Sequence, residues 1–360
     1  MAKERVYNFS AGPSMLPEEV LKEAAAELLN YKGCGMSVME MSHRSKMYQS
    51  IFDEVKADVK RVMGVPDSHE ILFMQGGATF QFAAVPMNLI GITGKADYAD
   101  TGNFANLAMK EAKKYGEVNA ACSSKESNYS YIPGQSDLKL SEDASYFYYC
   151  ANNTIFGTEW SYIPQTKAPL VCDVSSNFMS EPLDVSRFGI LYGGVQKNLA
   201  PAGMAMVIID KSLAGHEFPL TPTIMNYKTM IDKDSMYNTP PCYTIYMLGL
   251  TMKWIEANGG LAGMKKLKEQ RSGMLYDFLD QSSMFHGTVE KEARSGMNVT
   301  FKTEDPELDA KFIKEASAAG FENLKGHRIV GGMRASIYNA MPVEGVEKLV
   351  DFMKAFEKSN

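Results

Sequence analysis

The chain has 360 residues and a mass of 39.9 kDa, more than one domain of roughly 100–200 residues, so we expect two domains. Apolar residues make up 45% and charged residues 22%, which is the balance of an ordinary globular protein rather than of a disordered or fibrous one. Against 37 Lys and Arg stand 43 Asp and Glu, a formal charge of −6, so we expect no nucleic-acid partner.

Two helices are predicted before residue 70. The first begins at Pro17, because proline is favoured in the first turn of a helix. The second ends at Gly64 and Pro66, because glycine is favoured just after the last helical residue and proline cannot continue the helix. Their apolar faces are Val20, Leu21, Ala24, Leu28 and Leu29 in the first helix, and Ile51, Val55, Val59 and Val62 in the second. Both helices should lie against a core.

Between Glu70 and Leu213 short apolar runs alternate with turn residues and helical stretches. The strand candidates are EILFMQ, ADYAD, EVNAAC, SYFYYCAN, PLVCDVS, GILYGG and MAMVIID, and the helical stretches are GGATFQFAAVPMNLIG and NFANLAMKEAKKYG. Strands that alternate with helices imply right-handed crossovers and a mostly parallel sheet covered on both faces. The predicted fold class is therefore α/β.

A domain boundary is predicted at Gly259 and Gly260, after the helix YTIYMLGLTMKWIEAN. A long helix follows, and then a strand, a helix, a strand and a helix, which form a smaller α/β unit. We expect a large domain over residues 17–258 and a small domain made of residues 1–16 and 259–360.

Neither a membrane nor a metal is indicated. No run of about 18 apolar residues occurs, and the start MAKERVYNFSAGP lacks the apolar segment of a signal peptide, so we expect a cytoplasmic protein. The cysteines are odd in number, scattered and never spaced as CxxC, which favours reduced thiols over disulfides or zinc ligands. They are Cys34, Cys122, Cys150, Cys172 and Cys242.

Two candidate sites follow predicted strands. Gly76-Gly77-Ala78-Thr79 lies between a strand and a helix, where unpaired N–H groups and the helix dipole suit an anion such as phosphate. A tight turn is the alternative. Asp173 ends the strand PLVCDVS, and it is either a turn former or a functional carboxylate at the edge where α/β proteins bind ligands.

The remaining candidates are cationic. Lys197 lies in QKN between two buried strand candidates, which makes it a candidate nucleophile, although an isolated lysine is more often a surface group. Basic residues also cluster in SHRS and GHRIVGGMR, where they would bind carboxylate or phosphate groups or simply form solvated loops. These residues are His43, Arg44, His327, Arg328 and Arg334.

Together these groups are what pyridoxal 5′-phosphate (PLP) chemistry needs: an anion site, an acid for the pyridine nitrogen, an amine and arginines for acidic substrates. Long stretches in the same order resemble the phosphoserine aminotransferase family of class-V, fold-type I enzymes. Examples are NFSAGPSMLPEEVL, SVMEMSHRS, MQGGATFQFAAVPMN, DVSSNFMSEPLDVSRFG, YGGVQKNLAPAGM and GHRIVGGMRASIYNAMPVEGVEKLVDFM. The resemblance covers about residues 8–352.

The resemblance implies a role for each candidate. Lys197 matches the lysine that forms the Schiff base with PLP, and Asp173 matches the partner of the pyridine nitrogen. Arg334 resembles the group that binds the substrate α-carboxylate. The residues expected to bind PLP are Ala78, Thr79, Phe104, Thr154, Asp173, Gln196, Lys197, Asn238 and Thr239, the last two donated by a neighbouring subunit. The residues expected to bind the distal phosphate or carboxylate are His43, Arg44, His327 and Arg328.

The resemblance also implies a homodimer with shared active sites and a reaction. L-Glutamate and 3-phosphohydroxypyruvate would give 2-oxoglutarate and O-phospho-L-serine in serine biosynthesis, and 4-phosphohydroxy-L-threonine of pyridoxine biosynthesis is a candidate second substrate. Two positions depart from the family pattern: Phe104 replaces a tryptophan that stacks on PLP, and Thr79 replaces an arginine of some bacterial relatives. The alternatives are an alanine:glyoxylate aminotransferase, a cysteine desulfurase, and a non-catalytic protein that binds a phosphate ligand.

Overall fold

The structure is a computed structural model that describes residues 5–360. Its helices are α1 (Glu18–Glu27), α2 (Lys46–Met63), α3 (Gly77–Leu89), α4 (Asn103–Ala112), α5 (Tyr227–Asp232), α6 (Cys242–Ala257), α7 (Gly260–Leu279), α8 (Pro306–Ala318) and α9 (Val343–Ser359). Its strands are β1 (Tyr7–Asn8), β2 (His69–Gln75), β3 (Lys95–Asp100), β4 (Glu117–Ser123), β5 (Phe147–Cys150), β6 (Asn152–Asn153), β7 (Thr158–Glu159), β8 (Leu170–Asp173), β9 (Ile190–Gly194), β10 (Met204–Asp210), β11 (His286–Gly287), β12 (Asn298–Lys302), β13 (Phe321–Glu322) and β14 (Met333–Ser336).

Seven strands form one central sheet in the order β2-β10-β9-β8-β5-β3-β4. All neighbours from β9 to β4 are parallel, and only β10 runs antiparallel to both of its neighbours. Helices α3 and α4 pack on one face of the sheet, and α2 and α6 cover the other. The predicted α/β class with a mostly parallel, doubly covered sheet is confirmed.

The two ends of helix α2 are determined by local sequence. The Ser45 side chain accepts a hydrogen bond from the Tyr48 N–H at the start of the helix, and Gly64 ends it in the left-handed conformation with φ 62°. Ile51 and Val59 are buried against the sheet, as the apolar period predicts.

Helix α1 ends earlier than its apolar pattern suggests. Val20 and Ala24 are buried, but the helix ends at Glu27, before Leu28 and Leu29. Leu29 is 84% exposed and Leu28 is 38% exposed. The prediction that Leu21, Leu28 and Leu29 share the buried face is therefore wrong: Leu21 lies within the helix but is 36% exposed, and the helix ends before Leu28 and Leu29.

A second core lies outside the central sheet. Strands β11, β12 and β14 form an antiparallel sheet, and helices α7, α8 and α9 contribute the apolar residues that pack with it. The chain start joins this core, because β1 pairs in parallel with β13 and Phe9 is fully buried there. Strands of two residues are too short to show a period, so β1 and β13 were not predicted.

A buried ion-pair group connects the β6–β7 hairpin to the long helix α7. The Lys268 ammonium lies 2.7 Å from a Glu159 carboxylate oxygen and 3.1 Å from one of Glu181. Glu159 also accepts a hydrogen bond of 2.8 Å from the Gly296 N–H. Because the side chains of Lys268 and Glu159 are only 11% and 8% exposed, each charge depends on the other for solvation.

Replacing Lys268 with methionine should lower the free energy of unfolding by about 3–5 kcal/mol, because Glu159 would stay buried without its cation. Lys265→Met is the matched control on the same helix: its side chain is 49% exposed and its partner Glu269 is 3.6 Å away, so a change below about 1 kcal/mol is expected. Urea denaturation followed by circular dichroism measures both. Equal midpoints for the two variants would contradict the role given to Lys268.

Candidate active site

A cavity of about 240 Å³ opens at the carboxyl ends of the central strands. The loops that follow β2, β5, β8 and β9 converge there, at the edge of the sheet where open α/β proteins bind ligands. Of the residues predicted for the site, those that line this cavity are Ala78, Thr79, Phe104, Thr154, Asp173, Gln196 and Lys197.

The Lys197 amine is held by two hydroxyl groups. Its Nζ donates hydrogen bonds of 2.6 Å to Thr154 Oγ1 and 2.8 Å to Ser176 Oγ. The two hydroxyl oxygens are 2.7 Å apart, so all three atoms form one network. Nζ also lies 5.7 Å from the centre of the Phe104 ring. The amine is therefore aimed into the cavity rather than into solvent.

Asp173 is a buried carboxylate on the floor of the cavity, only 3% exposed. Burial raises its pKa, and the hydrogen bonds from Ser175 and the charge of Lys197 oppose that rise. The Ser175 N–H and hydroxyl donate to Oδ1 at 2.9 and 2.6 Å. Because both bonds end on Oδ1, Oδ2 is left for another donor.

The start of α3 provides an anion site. Gly76 and Gly77 have φ of 94° and 66°, a left-handed turn that suits glycine, and no side chain caps the helix. The first N–H groups of α3 therefore lack partners in the helix, and they face the cavity beside Ala78 and Thr79. A phosphate fits this position electrostatically.

The segment between β1 and α1 closes over Lys197. The Ser14 hydroxyl donates a hydrogen bond to the Lys197 carbonyl oxygen. A Cβ atom at Gly12, where φ is 129°, would lie 3.2 Å from Lys197 Cγ. Ser14, Ser175 and Ser176 were not predicted as site residues; serines next to glycine, proline or asparagine are common in turns and carry little signal.

Arg334 reaches the site from the second core. It lies on β14, and its Nη1 donates a 3.2 Å hydrogen bond to the Thr154 carbonyl oxygen. Its Nε is buried without a hydrogen-bond partner, and burial lowers its pKa. A buried donor without a partner is a position where a substrate carboxylate would bind.

The loop before Arg334 carries His327 and Arg328. The His327 Nδ1 accepts a 3.3 Å hydrogen bond from the Ile329 N–H, and Arg328 is exposed. Burial lowers the pKa of His327, and the charges of Arg334 and Arg328 lower it further. These three basic side chains are therefore close enough to influence one another.

Seven predicted residues do not line the cavity of their own chain: His43, Arg44, Asn238, Thr239, His327, Arg328 and Arg334. Asn238 Nδ2 donates a 3.5 Å hydrogen bond to Gln75 Oε1, and Gln75 Nε2 donates one of 2.6 Å to the Thr239 carbonyl oxygen. Asn238 and Thr239 are exposed at the end of β2.

The cysteines near the site are buried. Cys150 and Cys172 lie on β5 and β8 with exposures of 4% and 1%, and burial raises the pKa of both thiols. A thiol in such surroundings is unreactive. Along residues 5–360, no group of His, Cys, Asp or Glu side chains is arranged to hold a metal ion.

The residues of the cavity fit PLP. The uncapped start of α3 offers N–H donors for its phosphate, Asp173 Oδ2 is available for its ring nitrogen, and the Lys197 amine suits its aldehyde. Phe104 adds an aromatic face on the same cavity.

Comparisons with known proteins agree with this geometry. The family model for class-V aminotransferases matches residues 6–349. A phosphoserine aminotransferase from Nitrosomonas europaea is 50% identical over 99% of both chains. The solved structure of phosphoserine aminotransferase from Bacillus circulans subsp. alkalophilus superposes with a TM-score of 0.97 at 43% identity, over 99% of both chains. PLP-bound phosphoserine aminotransferase from Trichomonas vaginalis gives a TM-score of 0.94 at 40% identity, over 97% of this chain and 100% of that one.

Gly76→Ala should weaken the binding of PLP about tenfold. A Cβ at Gly76 would lie 2.9 Å from Phe80 Cβ and would add the strain of a left-handed residue, about 1–2 kcal/mol, at the anion site. Gly94→Ala is the control, because Gly94 has a similar φ of 86° but no atom within 4 Å of the added Cβ. Titration of each protein with PLP measures the affinity. The anion site would be misplaced if Gly76→Ala bound PLP as tightly as Gly94→Ala does.

Proposed function

The chain belongs to the class-V aminotransferases and, within them, to the phosphoserine aminotransferase family, and from that premise we propose its reaction and the role of each site residue. It uses PLP to transfer the amino group of L-glutamate to 3-phosphohydroxypyruvate. The products are 2-oxoglutarate and O-phospho-L-serine, in serine biosynthesis. The observation that carries the proposal is the Lys197 amine, held by Thr154 and Ser176 in the same cavity as Asp173 and the start of α3.

PLP, when bound, supplies an aldehyde that joins amines covalently and a pyridinium ring that withdraws electrons from the substrate α-carbon. The α3 N–H groups at Ala78 and Thr79 bind its phosphate, with Gln196 beside them. Phe104, which lines the same cavity, would pack against the ring. Its area is smaller than that of a tryptophan, so the phosphate and Asp173 contribute more of the affinity.

Asp173 keeps the ring nitrogen protonated. Its carboxylate is buried and oriented by Ser175, so it would present a negative charge to the nitrogen at low exposure to solvent. Thr154 lies where its hydroxyl meets both Lys197 and Ser176, and it holds the amine in the direction of the reacting atoms.

Lys197 would be the nucleophile that joins the PLP aldehyde, and its free amine would be the general base. Its Nζ takes the proton from the substrate α-carbon, a positioned transfer worth typically about 10²–10⁴ in rate. Thr154 and Ser176 accept hydrogen bonds from the same nitrogen, so they aim its lone pair when the amine is neutral.

The substrates are bound by cations. Arg334 binds the α-carboxylate, and its partnerless buried Nε supports that role. His327 and Arg328, together with His43 and Arg44, bind the distal phosphate of phosphoserine or the side-chain carboxylate of glutamate. Since Thr79 supplies no cation at the start of α3, these residues carry more of the positive charge around the site.

The active form is a homodimer with active sites at the subunit interface. Asn238 and Thr239 are exposed and absent from the cavity of their own chain, which supports their donation to the neighbouring subunit. Large apolar side chains near the N-terminus support an interface there. They are Leu21, Leu28, Leu29, Met36, Met39 and Met47.

Three further assignments belong to the proposal. The large domain is residues 17–258 and the small domain is residues 1–16 with 259–360, of which residues 1–4 lie outside the described residues; the separate core that Phe9 shares with α7–α9 supports this division. The protein works in the cytoplasm; none of the helices within residues 5–360 has the length and apolar character to cross a bilayer. It also transaminates 4-phosphohydroxy-L-threonine in pyridoxine biosynthesis.

The residues of the site argue against the three alternative functions. A cysteine desulfurase needs a reactive, accessible thiol, whereas Cys150 and Cys172 are buried. An alanine:glyoxylate aminotransferase has no use for the basic residues around Arg334. A non-catalytic phosphate-binding protein has no need of an amine held by hydroxyl groups next to a buried carboxylate.

The test of the reaction is a half-reaction of the PLP-loaded protein. It is mixed with O-phospho-L-serine and, separately, with L-alanine, while the absorbance of the bound cofactor is followed. Rapid loss of the absorbance band with phosphoserine and little change with alanine are expected. Equal rates for the two amino acids, or a protein that stays colourless with added PLP, would contradict the proposal.

Variants of the two arginines should separate the two ends of the substrate. Arg334→Ala should lower kcat/KM about 10–100-fold for both glutamate and phosphoserine, because a charge-assisted hydrogen bond worth about 1.5–3 kcal/mol is lost in each case. Arg328→Ala should reduce kcat/KM more for phosphoserine than for glutamate. Steady-state kinetics with both substrates measure this difference. Equal losses from Arg328→Ala would exclude a role in binding the phosphate.

A further inference from the structure

A group of four tyrosines lies beneath the cavity, on the face of the sheet covered by α3 and α4. Tyr98, Tyr146, Tyr148 and Tyr192 are each at most 1% exposed. Their hydroxyl groups form two pairs, with 2.8 Å between the oxygens of Tyr98 and Tyr146 and 2.8 Å between those of Tyr148 and Tyr192. The proposed reaction assigns no task to them, yet burying a hydroxyl is unfavourable unless it is hydrogen-bonded.

The Tyr148–Tyr192 pair lies next to Asp173. In the register of the sheet, Asp173 on β8 is opposite Tyr192 on β9 and opposite Cys150 on β5. Residues paired in register share a face of the sheet, and Tyr148 shares it too because it lies two positions before Cys150. The Asp173 carboxylate is therefore flanked by Tyr192, with Tyr148 one step further from the cavity.

The hydrogen bond between Tyr148 and Tyr192 leaves one hydroxyl proton without an acceptor. Each tyrosine hydroxyl has one proton, and the bond between Tyr148 and Tyr192 uses only one of the two. The other proton needs an acceptor, because both hydroxyl groups are buried. Asp173 is the adjacent anion, and its Oδ2, which takes no part in the Ser175 bonds, has two lone pairs, one for the Tyr192 hydroxyl and one for the ring nitrogen of PLP. A hydroxyl bond to a carboxylate is about twice as strong as one between neutral groups.

That difference favours Tyr148 as the donor to Tyr192, which leaves the Tyr192 proton for Asp173. The interaction with Tyr192 acts in the expected sense, since burial raises the pKa of Asp173 while the bonds from Ser175, the charge of Lys197 and the Tyr192 hydroxyl lower it. The titratable groups that interact with Asp173 are Cys150 from β5, Cys172 from its own strand, Tyr148 and Tyr192 from the same face, and Lys197 across the cavity.

We propose that Tyr192 is a positioning residue that orients the Asp173 carboxylate and stabilises its charge, and that Tyr148 fixes the direction of the Tyr192 hydroxyl. The inference rests on the proposed function, because the ring nitrogen of PLP is the group whose proton Asp173 holds. Tyr192 acts through Asp173 and does not itself line the cavity.

The experiment measures whether the proton between Asp173 and PLP lies on the ring nitrogen or on the carboxylate. Full-length protein is loaded with PLP that carries ¹⁵N at the ring nitrogen, and the ¹⁵N chemical shift is compared among the wild type and three variants. Tyr192→Phe removes the donor to Asp173, and Tyr148→Phe removes only the group behind it. The control, Tyr98→Phe, removes an equally buried hydroxyl of the other pair, from a ring that stacks on Tyr148 at 4.7 Å between centroids.

The wild-type signal should lie at the protonated position. In Tyr192→Phe it should move toward the unprotonated position, because a less stabilised carboxylate is more basic and draws the proton to itself. Tyr148→Phe should move it in the same direction by less, and Tyr98→Phe should match the wild type. The kcat for glutamate should fall about tenfold in Tyr192→Phe, as expected for one lost hydrogen bond, with KM changed less than about twofold.

An unchanged ¹⁵N signal in Tyr192→Phe would overturn the inference. So would a shift of equal size in Tyr98→Phe, because it would trace the effect to general loosening of the core. Tyr148→Phe keeps the result decisive if Tyr192→Phe fails to fold, since it leaves the Tyr192 ring and hydroxyl in place. A wild-type protein that takes up no labelled PLP would instead overturn the proposed function on which the inference depends.

Discussion

A buried carboxylate and an amine that face the same cavity are the pair on which this structure depends. Asp173 is 3% exposed and would be destabilised as an anion without compensation, and the Ser175 hydrogen bonds and the Lys197 charge provide it. Lys197 in turn is held by Thr154 and Ser176. The five side chains come from three loops at one edge of the sheet, so the direction of the strands determines the chemistry of the site.

The architecture explains how distant segments of the chain reach one cavity. Parallel strands place the loops after β5, β8 and β9 at the same edge, and β2 points the same way because it too is antiparallel to β10. The second core adds Arg334 through its bond to the Thr154 carbonyl oxygen, and Ser14 holds the N-terminal segment against Lys197. The buried ion pair of Lys268 with Glu159 fixes the hairpin that carries Thr154 against α7.

Much of the fold and of the candidate site could be predicted from the sequence. The parts that could not be predicted were hidden for physical reasons. The period of α2 and its end at Gly64 are local signals, and alternating strands and helices predict a parallel sheet whose edge collects Asp173 and Lys197. The reversed direction of β10 was not predictable, because a fully buried strand is apolar throughout and carries no sign of its direction. The Ser176 hydroxyl gave no signal among turn residues, and the faces of Tyr148 and Tyr192 were hidden because both faces of their strands are buried. The individual roles came from the family resemblance, and the hydroxyl contacts came only from the structure.

The central claim is that the amine of Lys197 carries PLP. The most direct measurement is reduction of the PLP-loaded protein with borohydride, followed by proteolysis and mass spectrometry of the peptides. The account predicts one pyridoxyl group per chain, attached to Lys197 in the peptide that contains Gln196 and Asn198. A pyridoxyl group on any other lysine, or no covalent adduct at all, would contradict it.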